Sequence, residues 1–561
     1  MEAPGTSEVP GAWPAQCNGQ AGRMGYNGRW EVPMRKPLPV GIQTFRDIIQ
    51  GGFLYVDKTP WIYELIRYPK GVYFLSRPRR FGKSLLISML DEIFQGQREL
   101  FRGLWLYEQP YDWAVHPIIR VDFSLRRIQS AEELKAVIGD FLDVIARQYG
   151  VELPAGDYQK RFGDLIAQLA RRNQVVILID EYDKPLLDNI DNLEEAIRIR
   201  DTLKGFYTII KGMDAYIRFV LLTGVSKFSQ VGVFSGLNNL KDISLDDRYA
   251  ALLGITQAEL EANFQVYLPE FAQKEGLTEA DLLVEIRHWY NGFCFSKQCQ
   301  AVYNPFSTLL LFDMQDFRNF WFESGTPTFL VKLIQRRNYA VEQLDRLELD
   351  ELAFSSYELD DLKVVPLLYQ TGYLTIKGYD RQARLYRLYY PNYEVENAFL
   401  SYLLADFGPV ENGLAGGHLN QLVQALRAHE FDRFFDVLGV FFAGIPYDIQ
   451  IPQERYYQTI FYLVFKLLGL RVGVEVRSSR GRTDAVLELA DAVWIFEFKL
   501  DASATDALDQ IKQRGYAEPY RGQGRPVYLV GVAFDRGRRA IAGWQVETLT
   551  SREVAKQPDL S

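Results

Sequence analysis

Apolar runs break the polar background of the first half of the chain at Val72 to Leu75, Val175 to Ile179 and Phe219 to Leu222. Each is short, uncharged and bounded by polar or glycine residues, which predicts strands buried on both faces, as in a parallel sheet. After the first run, Leu85-Leu86-Ile87 with Met89-Leu90 reads as a helix opening at Gly82-Lys83-Ser84. Residues 240 to 440 alternate helical patterns with polar breaks, for example Leu282-Leu283 with Ile286 and Trp289, and Ala398 through Leu404; they predict a helical lid and connector. Asn304-Pro305 and Pro391-Asn392 read as turns entering helices. Toward the C-terminus the pattern gives an apolar helix from Glu454, a strand over 471 to 476, a hairpin that includes Val493 to Leu500, and a helix with Ala507, Leu508 and Ile511 on its buried stripe. The expected fold class is α/β.

The strand Val493 to Leu500 carries the most chemistry. Successive strand side chains alternate in direction, so Ile495, Glu497 and Lys499 share one face, and Trp494, Phe496, Phe498 and Leu500 the other. At roughly 3.3 Å per residue, the Cα atoms of Glu497 and Lys499 lie about 7 Å apart. A carboxylate and an ammonium in so apolar a strand must face a metal, a phosphate or each other.

With 561 residues the chain is long enough for about three or four domains, and 48% hydrophobic content supplies their cores. A formal charge of -9 and a pI near 5.3 count against nonspecific nucleic-acid binding by the whole chain, although a local basic groove is compatible with them. Cys17, Cys294 and Cys299 are too few for a disulfide framework and, with only four histidines, show no zinc spacing. A reducing cytoplasm with free thiols is expected. Residues 1 to 33, rich in Gly and Pro, read as disordered or as an upstream extension. No run approaches the roughly 18 apolar residues that a membrane helix needs, so no membrane partner is expected.

Strand, loop and helix across Val72 to Leu90 make the context of a phosphate-binding loop, with Arg77 where a first glycine is usual. Arg79, Arg80, Phe81 and Gly82 would surround phosphates, Lys83 would reach the β and γ phosphates of ATP, and the Ser84 hydroxyl would bind Mg²⁺. Taken alone, Gly-Lys-Ser is an ordinary helix start. The second apolar strand ends in Asp180-Glu181, where Asp180 would hold Mg²⁺ through water and Glu181 would polarise the attacking water. Beyond the third strand, Ser226-Lys227 is either a γ-phosphate sensor or a polar strand end. Arg79 and Arg80 are also candidates for contact with a second subunit, so a homo-oligomer stays open.

These residues, with Gly41-Ile42, Tyr55-Val56-Asp57-Lys58-Thr59, Asp180-Glu181-Tyr182-Asp183, Tyr290-Asn291-Gly292 and Tyr303-Asn304-Pro305, resemble the AAA-ATPase-like proteins of bacteria and archaea over roughly 38 to 320. The resemblance implies that the Arg-Pro-Arg-Arg-Phe loop is usual for such proteins and that Asp57-Lys58-Thr59 lies near the nucleotide; a solvated loop is the alternative for those three.

Gly481-Arg482-Thr483-Asp484, Phe496-Glu497-Phe498-Lys499, Ala507 to Ile511 and Gly515-Tyr516-Ala517 resemble the PD-(D/E)XK nuclease superfamily over about 440 to 548. That implies Asp484, Glu497 and the Phe498 carbonyl as Mg²⁺ ligands, Glu454 as a further ligand, and Lys499 positioning water or stabilising the transition state. Gln510 would orient Lys499 or a phosphate. Lys512, Arg514, Arg521 and Arg525, with Arg477, Arg480 and Arg482, could contact phosphates, or be ordinary surface charges. The expected layout is an extension over 1–37, a P-loop AAA-type ATPase core with a parallel sheet over 38–240, a helical connector over 241–440, an α/β nuclease-like domain over 441–548 and a tail over 549–561. The expected function is an ATPase whose nucleotide state controls a Mg²⁺-dependent nuclease acting on nucleic acid, with DNA favoured. The alternative is an ATP-driven scaffold switch whose last domain binds without cutting.

Overall fold

The computed structural model describes residues 35–227, 233–234, 236–323, 330–331, 333–334, 337, 339, 341–351, 363–407, 421–422, 424–443, 454–467, 470–478, 481–521, 523–538 and 540–549. The first sheet joins β1 (Gly71–Ser76), β2 (Ile118–Asp122), β3 (Val175–Asp180), β4 (Ile217–Gly224) and β5 (Lys241–Asp242) in the order β2-β3-β4-β1-β5. Every pairing is parallel. Both β1 and β3 are buried along their whole length, as their uncharged runs predict. Helices Lys83–Phe94, Ala131–Tyr149, Tyr158–Leu169 and Leu193–Gly212 supply apolar faces to the same core. Because β4 lies between β1 and β3, the loop after β1, the acids after β3 and Thr223 at the end of β4 meet along one edge.

The middle of the chain is less purely helical than its pattern predicts. Helices Gln257–Phe264, Leu268–Glu275, Glu279–Tyr290 and Pro305–Met314 share a second core around Phe264, Tyr290 and Phe312. Between and beyond them lie a two-stranded hairpin, β6 (Phe293–Cys294) with β7 (Ala301–Val302), and an antiparallel sheet of β8 (Leu347–Asp350), β9 (Thr375–Asp380) and β10 (Leu385–Tyr389). In β10, buried Tyr386 and Leu388 flank exposed Arg387, a strand alternation too short to stand out beside the helical patterns around it. Gly292 explains part of the Tyr290-Asn291-Gly292 motif: its φ is 125°, and an added Cβ would lie 2.1 Å from the Pro391 carbonyl oxygen.

The C-terminal sheet runs β11 (Arg471–Ser478), β12 (Gly481–Glu488), β13 (Val493–Leu500), β14 (Val527–Asp535) and β15 (Ala540–Leu549) in chain order. Only β13 and β14 pair in parallel. The two faces of β13 enter different cores, as alternation requires. Trp494, Phe496 and Phe498 pack with the helix Glu454–Leu467, and Val493 and Ile495 pack with Leu508 and Ile511 of the helix Ala504–Arg514. Among the described residues no helix is long and apolar enough to cross a membrane.

Candidate functional sites

The loop after β1 is pinned by the residue that replaces its first glycine. Arg77 is 1% exposed, and its guanidinium donates to the carbonyls of Ser76, Ser244 and Tyr249 while lying 4.2 Å over the Phe295 ring. Burial lowers its pKa to about 10, still far above neutrality. A glycine could not make these bonds, so the Arg form of the loop trades backbone freedom for anchorage. Farther along, φ values of 67° at Arg80 and 90° at Gly82 put left-handed residues before the helix Lys83–Phe94. Alternation of this kind gathers N–H groups into an anion-binding concavity above a helix N-terminus.

Lys83 is 4% exposed and donates to the carbonyls of Arg77 and Pro78, each at 3.2 Å, with Glu181 at 3.4 Å. Ser84 is half-buried in the first turn of the helix. Asp180 is 1% exposed; its Oδ1 accepts from Thr223 and from the Glu181 N–H, and its Oδ2 is buried with no hydrogen-bond partner. A buried, unpartnered carboxylate oxygen is costly unless a cation or its waters meet it, so the residues fit Mg²⁺ at this edge. Glu181 adopts φ 52°, a strained conformation for a non-glycine residue, at the position proposed to face water. Arg79 and Arg80 are exposed, with Arg80 stacked 4.6 Å over Phe306, and Phe81 points into the core against Phe293 and Phe295. Phe81 therefore supports the loop from behind.

Two sequence candidates beyond β4 face protein groups. The Ser226 hydroxyl and N–H both donate to Asp183, and Lys227 pairs with Asp242 while its N–H donates to Gln370. Asp183 is the residue that sequence reasoning gave no role: fully buried, it also accepts from the Val225 N–H and so ties the end of β3 to the segment after β4. Burial, reinforced by the Glu181 charge, pushes its carboxyl up to about 6. An acid with a raised folded-state pKa holds its proton more tightly when folded; its stabilising contribution is complete below the unfolded value of about 4 and is lost as pH rises through the folded one. Asp183→Asn is therefore expected to flatten the decline in melting temperature between about pH 4 and pH 6, as calorimetry of both proteins across that window would show.

Asp57-Lys58-Thr59 is packed into the fold and is not a solvated loop. Asp57 accepts from the Thr59 N–H and hydroxyl and from the Trp105 N–H, and Lys58 pairs with Glu259 at 2.7 Å. Lys58, Leu54, Tyr55, Gly82, Leu86 and Ile255 border an apolar cavity of about 100 Å³ beside the phosphate loop. On the other side, the Asn304 amide and the Trp321 indole donate to the Arg79 carbonyl at 3.5 and 3.2 Å. Asn304 also caps the helix Pro305–Met314, so the Tyr303-Asn304-Pro305 motif joins that helix to the phosphate loop.

At the second site, β12 and β13 pair from Glu488↔Val493 only as far as Ala485↔Phe496, and then part. Asp484 fills the fork: its Oδ2 accepts the Phe498 N–H at 2.7 Å. The N–H and C=O of one strand residue project to the same side, so the Phe498 carbonyl faces the fork too. Glu497 is 1% exposed; its Oε1 accepts from Lys499 at 3.3 Å and from the Gln510 amide. The Glu-x-Lys pair therefore meets within its own strand, and Gln510 orients the carboxylate instead of the lysine. Gly531 makes this possible. A Cβ there would stand 2.2 Å from the Ala504 carbonyl, so only glycine lets the helix Ala504–Arg514 approach the sheet closely enough for Gln510 to reach β13.

Two acidic oxygen donors and a backbone carbonyl suit a hard divalent ion that retains water. Among the described residues no three His, Cys, Asp or Glu side chains gather, so a third protein donor has to be the Phe498 carbonyl or Glu454, whose side chain lies outside the described residues. Of the basic residues proposed for phosphate, Lys512 pairs with Glu547, Arg521 with Glu518 and Arg525 with Glu488. The side chains of Arg477, Arg480 and Arg482 lie outside the described residues.

Comparison with known proteins finds a family match over each of the two regions. Residues 39–234 match the family model described as Predicted AAA-ATPase, and residues 452–544 match a PD-(D/E)XK nuclease superfamily model. An uncharacterized protein in the vnfD 5' region of Azotobacter chroococcum mcd 1 is 42% identical over 529 residues, covering 92% of this chain and 99% of that protein. The likeness thus runs through both domains and the segment joining them, and the chain belongs to the AAA-ATPase-like family, with a PD-(D/E)XK nuclease superfamily domain at its C-terminal end.

Proposed function

We propose that this protein binds and hydrolyses ATP at the first site, and that its nucleotide state controls Mg²⁺-dependent phosphodiester cleavage, with DNA as substrate, at the second. The observation that carries the reading is the fork between β12 and β13, where Asp484 accepts the Phe498 N–H and the strand residues on either side of Phe498, Glu497 and Lys499, pair with each other. In the ATPase half, Lys83 would exchange the loop carbonyls and Glu181 for phosphate oxygens, leaving Glu181 to orient water. The apolar cavity beside Gly82 would take the base. In the nuclease half, Asp484, Glu497 and the Phe498 carbonyl would hold Mg²⁺, which when bound lowers the pKa of water and neutralises phosphate charge. Lys499 would stand beside the scissile phosphate, and Gln510 would keep Glu497 in place.

Control is supported by an unbroken line of contacts. Trp321 donates its indole N–H to Arg79 of the phosphate loop and its backbone N–H to buried Glu394 at 2.8 Å. Glu394 also accepts from Ser307, and it belongs to the helix Tyr393–Phe407, which packs on the helix Glu454–Leu467. Phe461 of that helix lies 4.7 Å from Phe496 and 4.9 Å from Phe498 of β13. Cleavage of a supercoiled plasmid with Mg²⁺, with and without ATP, tests the reading, and Glu394→Ala tests the line of contacts. Wild type should show an ATP-dependent difference in cleavage rate that the variant loses while both proteins still hydrolyse ATP. Binding of the plasmid without any cleavage would point instead to a switch that recognises DNA without cutting it.

A further inference from the structure

The hairpin of β6 and β7 holds two thiols that neither site uses. Cys294 is fully buried in β6, and Cys299 is half-buried in the turn before β7, where its N–H donates to the Ser296 carbonyl. Both converge on β9: the Cys294 N–H donates to the Thr375 hydroxyl at 2.7 Å, and the Cys299 thiol donates to the Ile376 carbonyl at 3.3 Å. They also meet at one oxygen: the Ser296 carbonyl accepts from the Cys294 thiol at 3.4 Å and from the Cys299 N–H at 3.1 Å. A hydrogen bond from Cys294, with help from the nearby Lys377 ammonium, lowers Cys299 to about 7, whereas Cys294 is pushed up. The pair is thus asymmetric, with a reachable sulfur that forms thiolate near neutrality and a buried sulfur behind it.

Its neighbours give the pair a consequence. Phe293 and Phe295, on either side of Cys294, pack their rings 4.9 and 5.2 Å from Phe81 of the phosphate loop, and Phe295 also lies under Arg77. Whatever moves the backbone of residues 293 to 299 moves the platform on which that loop rests.

We propose that Cys294 and Cys299 form a thiol–disulfide exchange site that takes low-molecular-weight disulfides and, once oxidised, disturbs the phosphate loop. The Cys299 thiolate attacks one sulfur of a small disulfide, forming a mixed disulfide and releasing one thiolate. Cys294, losing its proton to that thiolate, attacks the Cys299 sulfur and expels the second, which leaves as a thiol with the proton given up by Cys299. Two protein thiols and one small disulfide thus become one protein disulfide and two small thiols. Both thiol donors are lost to their carbonyl partners, and closing the bond reshapes the 294–299 segment that holds Phe295 against Phe81.

The test incubates the full chain with oxidised glutathione and follows two readouts. Iodoacetamide alkylation of the denatured chain with peptide mapping should show Cys294 and Cys299 protected and joined, trypsin having cleaved after Lys297 between them. Binding of a fluorescent ATP analogue should weaken several-fold. Dithiothreitol should reverse both changes, and Cys299→Ser should show neither. Only the binding arm rests on the ATPase reading; the alkylation arm stands without it. Both cysteines remaining alkylatable, or glutathione staying attached to Cys299, would overturn the exchange site. A joined pair with unchanged nucleotide affinity in a protein whose reduced form binds ATP would overturn the link to the phosphate loop.

Discussion

Asp484→Asn is expected to leave the nuclease domain folded and to lower metal-dependent cleavage on the order of 10³-fold, the scale at which a preorganised charge acts on a reacting phosphate. The amide is the informative replacement because its carbonyl oxygen can still accept the Phe498 N–H that holds the fork together. Alanine would remove that acceptor as well and confound loss of fold with loss of chemistry. Titration of the apo protein with Mn²⁺ by calorimetry gives an independent readout: affinity should drop in Asp484→Asn while the melting temperature stays within a few degrees of wild type. Unchanged cleavage by the variant would remove Asp484 from the site. Lys499→Ala is the complement. It should cut slowly yet bind metal normally, because the ammonium touches Glu497 and would act on phosphate or water without ligating the ion.

Lys83→Ala should abolish ATP hydrolysis and, with it, the rise in melting temperature that ATP confers on the wild-type chain. A ligand at a hundred times its Kd adds about 2.7 kcal/mol to stability, so the lost shift is easily measured by scanning fluorimetry. The side chain is almost fully buried and spans the loop, so its removal also strands the Arg77 and Pro78 carbonyls, at a cost of about 1 kcal/mol. Glu181→Gln separates binding from turnover: the ATP-induced shift should persist while kcat falls at least about a hundredfold. A Lys83→Ala protein with normal turnover would exclude the phosphate loop as the seat of hydrolysis.

How much of this is legible from residues alone differs between the two sites. At the phosphate loop, local signals suffice: an uncharged strand, a Gly-Lys-Ser helix start and an acidic strand end are each sequence-contiguous. Arg77 shows the limit, since its three carbonyl partners include Ser244 and Tyr249, far along the chain. Asp183 belongs to the Asp180-Glu181-Tyr182-Asp183 motif without a role the motif itself discloses, since its hold on Ser226 depends on β3 and β4 being neighbours. At the nuclease site, the Glu-x-Lys strand and its two-faced burial follow from alternation. That Gln510 meets Glu497 depends on Gly531, which no local pattern marks as a contact point.

The sequence by itself determined the α/β class, the buried strands, the helix starts and the chemical identities of the acids, lysines and phosphate loop, because periodicity and motif chemistry act over a few residues. Tertiary structure alone decided the strand order that sets Thr223 between the end of β1 and Asp180, the fork that aims the Phe498 carbonyl beside Asp484, and the contacts running from Arg79 through Glu394 to β13. These are pairings between distant segments, fixed by which faces exclude water together, and a single segment does not carry that information.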